Sequence, residues 1–137
     1  MSHLVLLDNE AVQALAEPTH PKHRRVLSHA QVVAHRTRRQ APIRAAVPTS
    51  VRVEAGWDRT APASALLNQL RVADIALDTA SANIAAAIVA RTGVSVADAH
   101  LGAVMRAAAD DQLTVITSDP NDMRSVAAPR NITTVAI

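Results

Sequence analysis

The feature that most constrains this chain is an alternation. Short apolar runs of strand length recur between longer stretches with helical periodicity along 137 residues. Leu4–Leu7 is a fully apolar run ended by Asp8, as expected of a buried strand. Glu10–Glu17 reads as a short helix stopped by Pro18. His20–Gln40 reads as a long polar-basic helix with Val26, Ala30 and Val33 at i, i+4, i+7, flanked by Leu27 and Ala34. Ala45–Val47 is a weak strand, and Thr49 is placed to cap a helix carrying Val51, Glu54 and Trp57. Pro62 opens a further helix with Ala63, Leu66, Leu67 and Leu70 on one face, and Ala73–Leu77 reads as a strand.

In the second half, Asp78-Thr79 caps a helix expected to bury Ala80, Ile84, Ala87 and Ile88, with Gly93 ending it. Ser95–Asp98 opens a helix with Leu101, Val104, Met105 and Ala108 inward. Leu113–Thr117 is a β-branched strand, Asp119-Pro120 begins a helical turn, and Ile132–Ile137 is a terminal strand. Strands alternating with helices predict an α/β fold, a parallel sheet of about five strands with helices on both faces. No repeat or linker divides the chain, so residues 1–137 are expected to form one domain.

Composition removes several function classes. Apolar residues make up 49 % of the chain, enough for a sizeable core. No cysteine is present, which excludes a disulfide scaffold, a Cys-ligated zinc site and a thiol nucleophile. Phe and Tyr are absent and Trp57 is the only aromatic, so a nucleic-acid binder built on stacking aromatics is improbable. The longest apolar stretch, Ile84–Ala90, is too short for a membrane span. The start of the chain has no basic lead and meets an acid at Asp8, so it does not read as a signal peptide. A cytoplasmic protein with no membrane partner is expected.

Charge is segregated. Between Pro18 and Val53 stand Lys22, Arg24, Arg25, Arg36, Arg38, Arg39, Arg44 and Arg52, with no acid; the rest of the chain is net acidic. This segment reads either as a solvated helix face or as a phosphate-binding surface, with Arg24, Arg25, Arg36, Arg38 and Arg39 as candidate RNA contacts. His20, His23, His29 and His35 lie in it without sharing a face, and read as polar surface.

Four acids occupy equivalent places: Asp8 after the first strand, Glu54 early in the helix after the second, Asp98 in the first turn of its helix, and Asp119 after Leu113–Thr117. Each alone has a structural explanation. Ser95 with Asp98 fits a capping box, and Asp119 before Pro120 fits an N-cap followed by proline at the first helical position. Jointly they change meaning, because all strand C-termini of a parallel sheet share one edge where ligand sites form. Several carboxylates gathered there repel unless some protonate or a cation intervenes. Oxygen-only ligands favour Mg²⁺, with Mn²⁺ as substitute. Such an ion lowers the pKa of bound water and neutralises phosphate charge. Asn9, Ser50, Thr117 and Ser118 stand ready to orient these groups or position substrate.

The runs Leu6-Leu7-Asp8-Asn9, Pro48-Thr49-Ser50 with Glu54, Ser95–Ala99 and Val115–Asp119 occur in an order that resembles the PIN-domain ribonucleases, and within them the VapC-type toxins of bacterial toxin–antitoxin pairs. The resemblance spans essentially the whole chain. It implies a three-layer α/β/α PIN-like fold and a Mg²⁺-dependent endoribonuclease. Its catalytic set would be Asp8, Glu54, Asp98 and Asp119, with the metal on Asp8, Asp98 and Asp119 and Asp122 a further acid beside them. It also implies a homodimer that cuts tRNA or ribosomal RNA and is neutralised by an antitoxin. Asn9, where many members have a small residue or Ser, and the long Arg/His run depart from the pattern. Two rivals remain: a non-catalytic PIN-like binding or assembly module, and a receiver-like phosphotransfer domain. The latter normally needs a late lysine and two adjacent acids after the first strand. Here Lys22 is the only lysine and Asn9 follows Asp8.

Overall fold

The computed structural model describes residues 1–137. The elements in chain order are β1 (His3–Leu7), α1 (Asn9–Ala16), α2 (His23–Arg38), β2 (Ile43–Pro48), α3 (Thr49–Ala55) and, after a 3₁₀ turn at Pro62–Ser64, α4 (Ala65–Gln69). Then come β3 (Val72–Ile75), α5 (Thr79–Thr92), α6 (Val96–Ala107), β4 (Gln112–Thr117), α7 (Pro120–Ala127) and β5 (Thr133–Ala136). The five strands form one sheet in the order β3-β2-β1-β4-β5, and every pairing is parallel. This is the expected α/β fold, a sheet between two helical layers.

The strand order places the site. The chain winds outward from β1 through β2 to β3, then returns to add β4 and β5 on the other side of β1. The strand order therefore reverses between β1 and β4, and the crevice beyond their C-terminal ends is where such folds bind ligands. Asp8 and Ser118 follow those two strands directly.

β1 is central and covered on both faces, which is why Leu4–Leu7 is an unbroken apolar run and fully buried. Burial of each such side chain contributes about 1.5–3 kcal/mol. α6 is the central helix of one layer: apart from Asp98, every residue from Ala97 to Met105 is buried. A side chain is not accommodated at Gly102, where a Cβ would come within 2.7 Å of the Val126 carbonyl and 2.8 Å of Ile88 Cδ1. α6 thus touches α5 and α7 at a point where glycine alone lets the backbones close. Gly93 (φ 71°) ends α5 in the left-handed region, as its position suggested.

Several expectations are corrected. α2 begins at His23, because the segment around Pro21 forms turns and His20 Nδ1 accepts the Lys22 N–H. Thr49 is the first residue of α3 and not its cap; Pro48 stands at that position and gives no side-chain bond. The helix expected from Pro62 is a 3₁₀ turn plus the five-residue α4, with Leu67 and Leu70 buried and Leu66 exposed. β3 starts one residue early, at Val72. α5 buries Ala85 and Ile88, while Ala80 and Ala87 face solvent and Ile84 is half-buried. So many of its side chains are small and apolar that periodicity could not select a side.

Candidate functional site: an acidic cleft at the β1/β4 switch

A cleft of about 350 Å³ opens at the reversal point. It is lined by Asp8, Asn9, Glu10, Glu54, Ser95, Asp98, Ser118, Asp119, Asp122 and Met123. The four acids predicted from sequence are brought together there, with Asp122 and Asn9. None of the ten lining residues carries positive charge; Glu10 is paired from outside the wall by His20 at 3.2 Å and Lys22 at 3.5 Å, and the other five acids have no ion pair.

The acids are held in three ways. Asp8 is buried and caps α1: its Oδ1 accepts the Ala11 N–H at 2.8 Å and its Oδ2 accepts the Ser118 N–H at 3.1 Å. The second of these bonds ties the end of β1 to the end of β4. Thr117, fully buried, also hydrogen-bonds the Asp8 carboxylate, and its Oγ1 accepts the Asp119 N–H at 2.9 Å. Burial nevertheless outweighs these donors and raises the Asp8 pKa above the usual carboxylate range.

Asp119 caps α7, accepting the Asp122 N–H at 3.2 Å. The Asp119 carboxyl, by hydrogen bond and by charge, raises the pKa of Asp122. Asp98 is held differently. Ser95 Oγ accepts the Asp98 N–H at 3.1 Å, but the reciprocal half of a capping box is not made. The Asp98 carboxylate is therefore left to the cleft. Burial, then the charges of Glu54, Asp8, Asp122 and Asp119, push its pKa to about 6. Glu54 is exposed on the second turn of α3.

The other predicted residues divide. Asn9 lines the cleft, and its buried Oδ1 has no hydrogen-bond partner. Ser50 does not line it: Ser50 Oγ pairs with His100 Nδ1 at 3.0 Å, joining α3 to α6. His100, which sequence reasoning passed over, is fully buried in α6, and burial lowers its pKa, leaving it neutral at pH 7. Its signal was weak: a lone histidine within an apolar helix. Arg24, Arg25, Arg36, Arg38 and Arg39 are exposed on α2 and none reaches the cleft. Of the histidines read as surface, His29 and His35 are exposed. His20 pairs with Glu10 at 3.2 Å, and His23 Nδ1 bonds the Ala14 carbonyl at 2.8 Å.

The donor set suits a hard divalent cation: carboxylates, one orphaned amide oxygen, and a charge excess that raises Asp98. As the side chains stand, however, no three acidic or histidine groups form a chelating arrangement about one point. The match is one of chemistry and placement.

The architecture is that of a PIN-like α/β fold. No family model matches the chain, and no curated protein does. Solved structures do share its fold. VapBC2 from Rickettsia felis, bound to a DNA fragment from the VapBC2 promoter, matches with a TM-score of 0.58 and 9 % identity, covering 96 % of this chain and 98 % of the other. FitAcB from Neisseria gonorrhoeae matches with a TM-score of 0.55 and 16 % identity, covering 94 % and 96 %. Both neighbours are toxin–antitoxin complexes. At these identities they establish the fold alone. The resemblance to VapC-type toxins is accordingly corrected: a shared fold with chains of such complexes replaces membership of that toxin family. No single helix is long and apolar enough to cross a membrane.

Proposed function

We propose that this protein is a divalent-metal-dependent endoribonuclease held in check by a partner protein. The observation that carries the reading is the convergence of Asp8, Glu54, Asp98 and Asp119 on one cleft with no basic residue in its wall. Asp8, Asp98 and Asp119 would hold Mg²⁺, or Mn²⁺ in its place, with Glu54 completing the set and Asn9 offering a neutral oxygen. When bound, the ion supplies charge neutralisation at the phosphate and activates water.

The chain's own residues do the rest. Thr117 and the Ser118 and Ala11 amides fix the Asp8 carboxylate, so it needs no reorganisation. Asp98, with its raised pKa, would hold the cation as the deprotonated carboxylate, so binding would be coupled to loss of its proton. In the overall reaction water oxygen bonds to phosphorus, the P–O3′ bond breaks, and a 5′-phosphate and a 3′-hydroxyl result. RNA backbone contact would fall to the α2 arginines, and tRNA or ribosomal RNA would be chosen by shape. The complexes that share the fold support a silencing partner. An exposed Ala82, Ala86 and Val89 stripe on α5 supports a homodimer.

A second reading has its own observation: Asp8 and Asp119 both serve as helix caps, which favours a PIN-like binding module without catalysis. A calorimetric Mn²⁺ titration, followed by mapping of RNA ends after incubation in Mg²⁺, separates the two. Wild-type protein that binds no Mn²⁺, or Asp98→Ala protein that cleaves as fast as wild type, sinks the nuclease reading.

A further inference from the structure

On the sheet face beside α2 lies a second feature of opposite character. A groove of about 470 Å³ runs between α2 and the sheet, from His3, Ile43 and Thr133 at the strand starts to Ile116 and Val135 further along β4 and β5. It shares no lining residue with the acidic cleft. Val5, Ile116 and Val135 form an apolar floor. Val135 pairs in register with Ile116, and α2 packs against β2 rather than over this part of β4 and β5. Val32 and Val33 form the wall. Val33 belongs to the core, but Val32 is 50 % exposed, an aliphatic side chain on an otherwise polar helix face.

The rim is basic. Arg25, His29, Val32, Arg36 and Arg39 follow one another at spacings of three or four residues, which puts them on one stripe of α2. No ion pair holds any of these arginines. The segment from Pro18 to Val53 contains no acid that could reach them locally.

We propose that this groove docks a short amphipathic segment of a partner protein, with aliphatic side chains on the floor and Asp or Glu against the α2 stripe. An aliphatic floor without aromatics suits a peptide better than RNA, whose bases need stacking surfaces. A second copy using the same face would set Arg25, Arg36 and Arg39 against their own counterparts, a like-charge juxtaposition that charge complementarity disfavours. The inference deepens only the partner in the reading above and is independent of the cleavage chemistry.

The test is selection of a displayed random 16-residue peptide library on the full-length protein, followed by anisotropy with one labelled winner. The expected winners carry aliphatic residues at i, i+3 or i+4 with flanking acids. Val32→Lys and Arg36→Glu, both at exposed positions outside the cleft, are each expected to weaken the winner by about tenfold or more with an unchanged melting temperature. No enrichment, enrichment of basic or purely polar peptides, or affinity indifferent to both variants overturns the proposal. So does a labelled 12-nucleotide RNA that loses affinity with Val32→Lys while the peptide does not. Self-association in sedimentation that Val32→Lys abolishes also overturns it, in favour of a second copy. RNA cleavage by the same preparations reports on the nuclease reading separately: peptide binding without cleavage leaves the groove standing and removes the chemistry, and the converse does the reverse.

Discussion

The Asp74 carboxylate and the carboxylates of the cleft are treated in opposite ways. Asp74, on the edge strand β3, is met by Arg52 at 3.0 Å and Arg59 at 2.9 Å. Both guanidiniums lie over Trp57, Arg59 at 4.2 Å from the ring centroid and Arg52 at 5.5 Å. Arg59 also donates to Asn68 Oδ1 and to the Val72 carbonyl. The carboxylate there is met by two cations, and the cluster closes the sheet edge over the only aromatic. In the cleft only Glu10 has an ion-pair partner; the other five acids have none, and the one most exposed to its neighbours' charge, Asp98, is pushed to about 6. Residue type does not separate a structural carboxylate from a candidate ligand; the company it keeps does.

The largest expected effect tests that contrast directly. Asp98→Asn should lower Mg²⁺-dependent RNA cleavage by at least about 100-fold while leaving the melting temperature equal or higher, since it removes a repelled charge. A marked loss of stability with cleavage retained would make Asp98 a structural acid like Asp74.

Arg59→Ala should do the reverse. It removes a cation from the Trp57 face and one partner of a partly exposed ion pair, costing about 1–3 kcal/mol in urea unfolding, with cleavage retained. Equal unfolding midpoints would show the cluster to be ornamental.

A smaller effect concerns pH. Asp98 holds its proton more tightly folded than unfolded, so its contribution to stability is full below about pH 4 and is lost as pH rises through about 6. In EDTA, the stability difference between Asp98→Asn and wild type should widen in the variant's favour from pH 4.5 to pH 7. Mn²⁺ binding near pH 6 should release protons, seen as a buffer-dependent heat; a constant heat across buffers contradicts the raised pKa.

The smallest effect belongs to the exposed arginines. Arg24→Ala or Arg25→Ala should change stability by no more than about 0.5 kcal/mol. If α2 touches single-stranded RNA, each should reduce the salt slope of binding by about 0.7. An unchanged slope assigns the stripe to a protein partner alone.

Much of this arrangement is legible in one sequence. The strands β1 and β4 announce themselves as apolar runs, and Asp8 and Asp119 mark their ends, so alternation alone brings both acids to one edge. Periodicity failed on α5 because alanine can face either way. The Asp74 cluster was hidden because its members lie 15 and 22 residues apart and meet only after β3 joins β2. Ser50 looked poised for the cleft, but its bond to His100 spans 50 residues and turns it elsewhere. Ligand geometry is equally beyond a linear reading, since it depends on rotamers of Glu54, Asp98 and Asp119 and not on their order.

Asp8 and Asp119 each terminate a strand, start a helix and face the cleft. Asparagine serves as a helix start about as well as aspartate, yet carries no charge. On the nuclease reading, disarming this protein would be conformationally cheap at residue 119, where one carboxylate oxygen makes the cap, but not at residue 8, where both oxygens accept N–H groups and an asparagine NH2 would face one of them. If that reading holds, lineages burdened by the activity would be expected to accumulate inert look-alikes changed at residue 119, and those would act as decoys for a restraining partner.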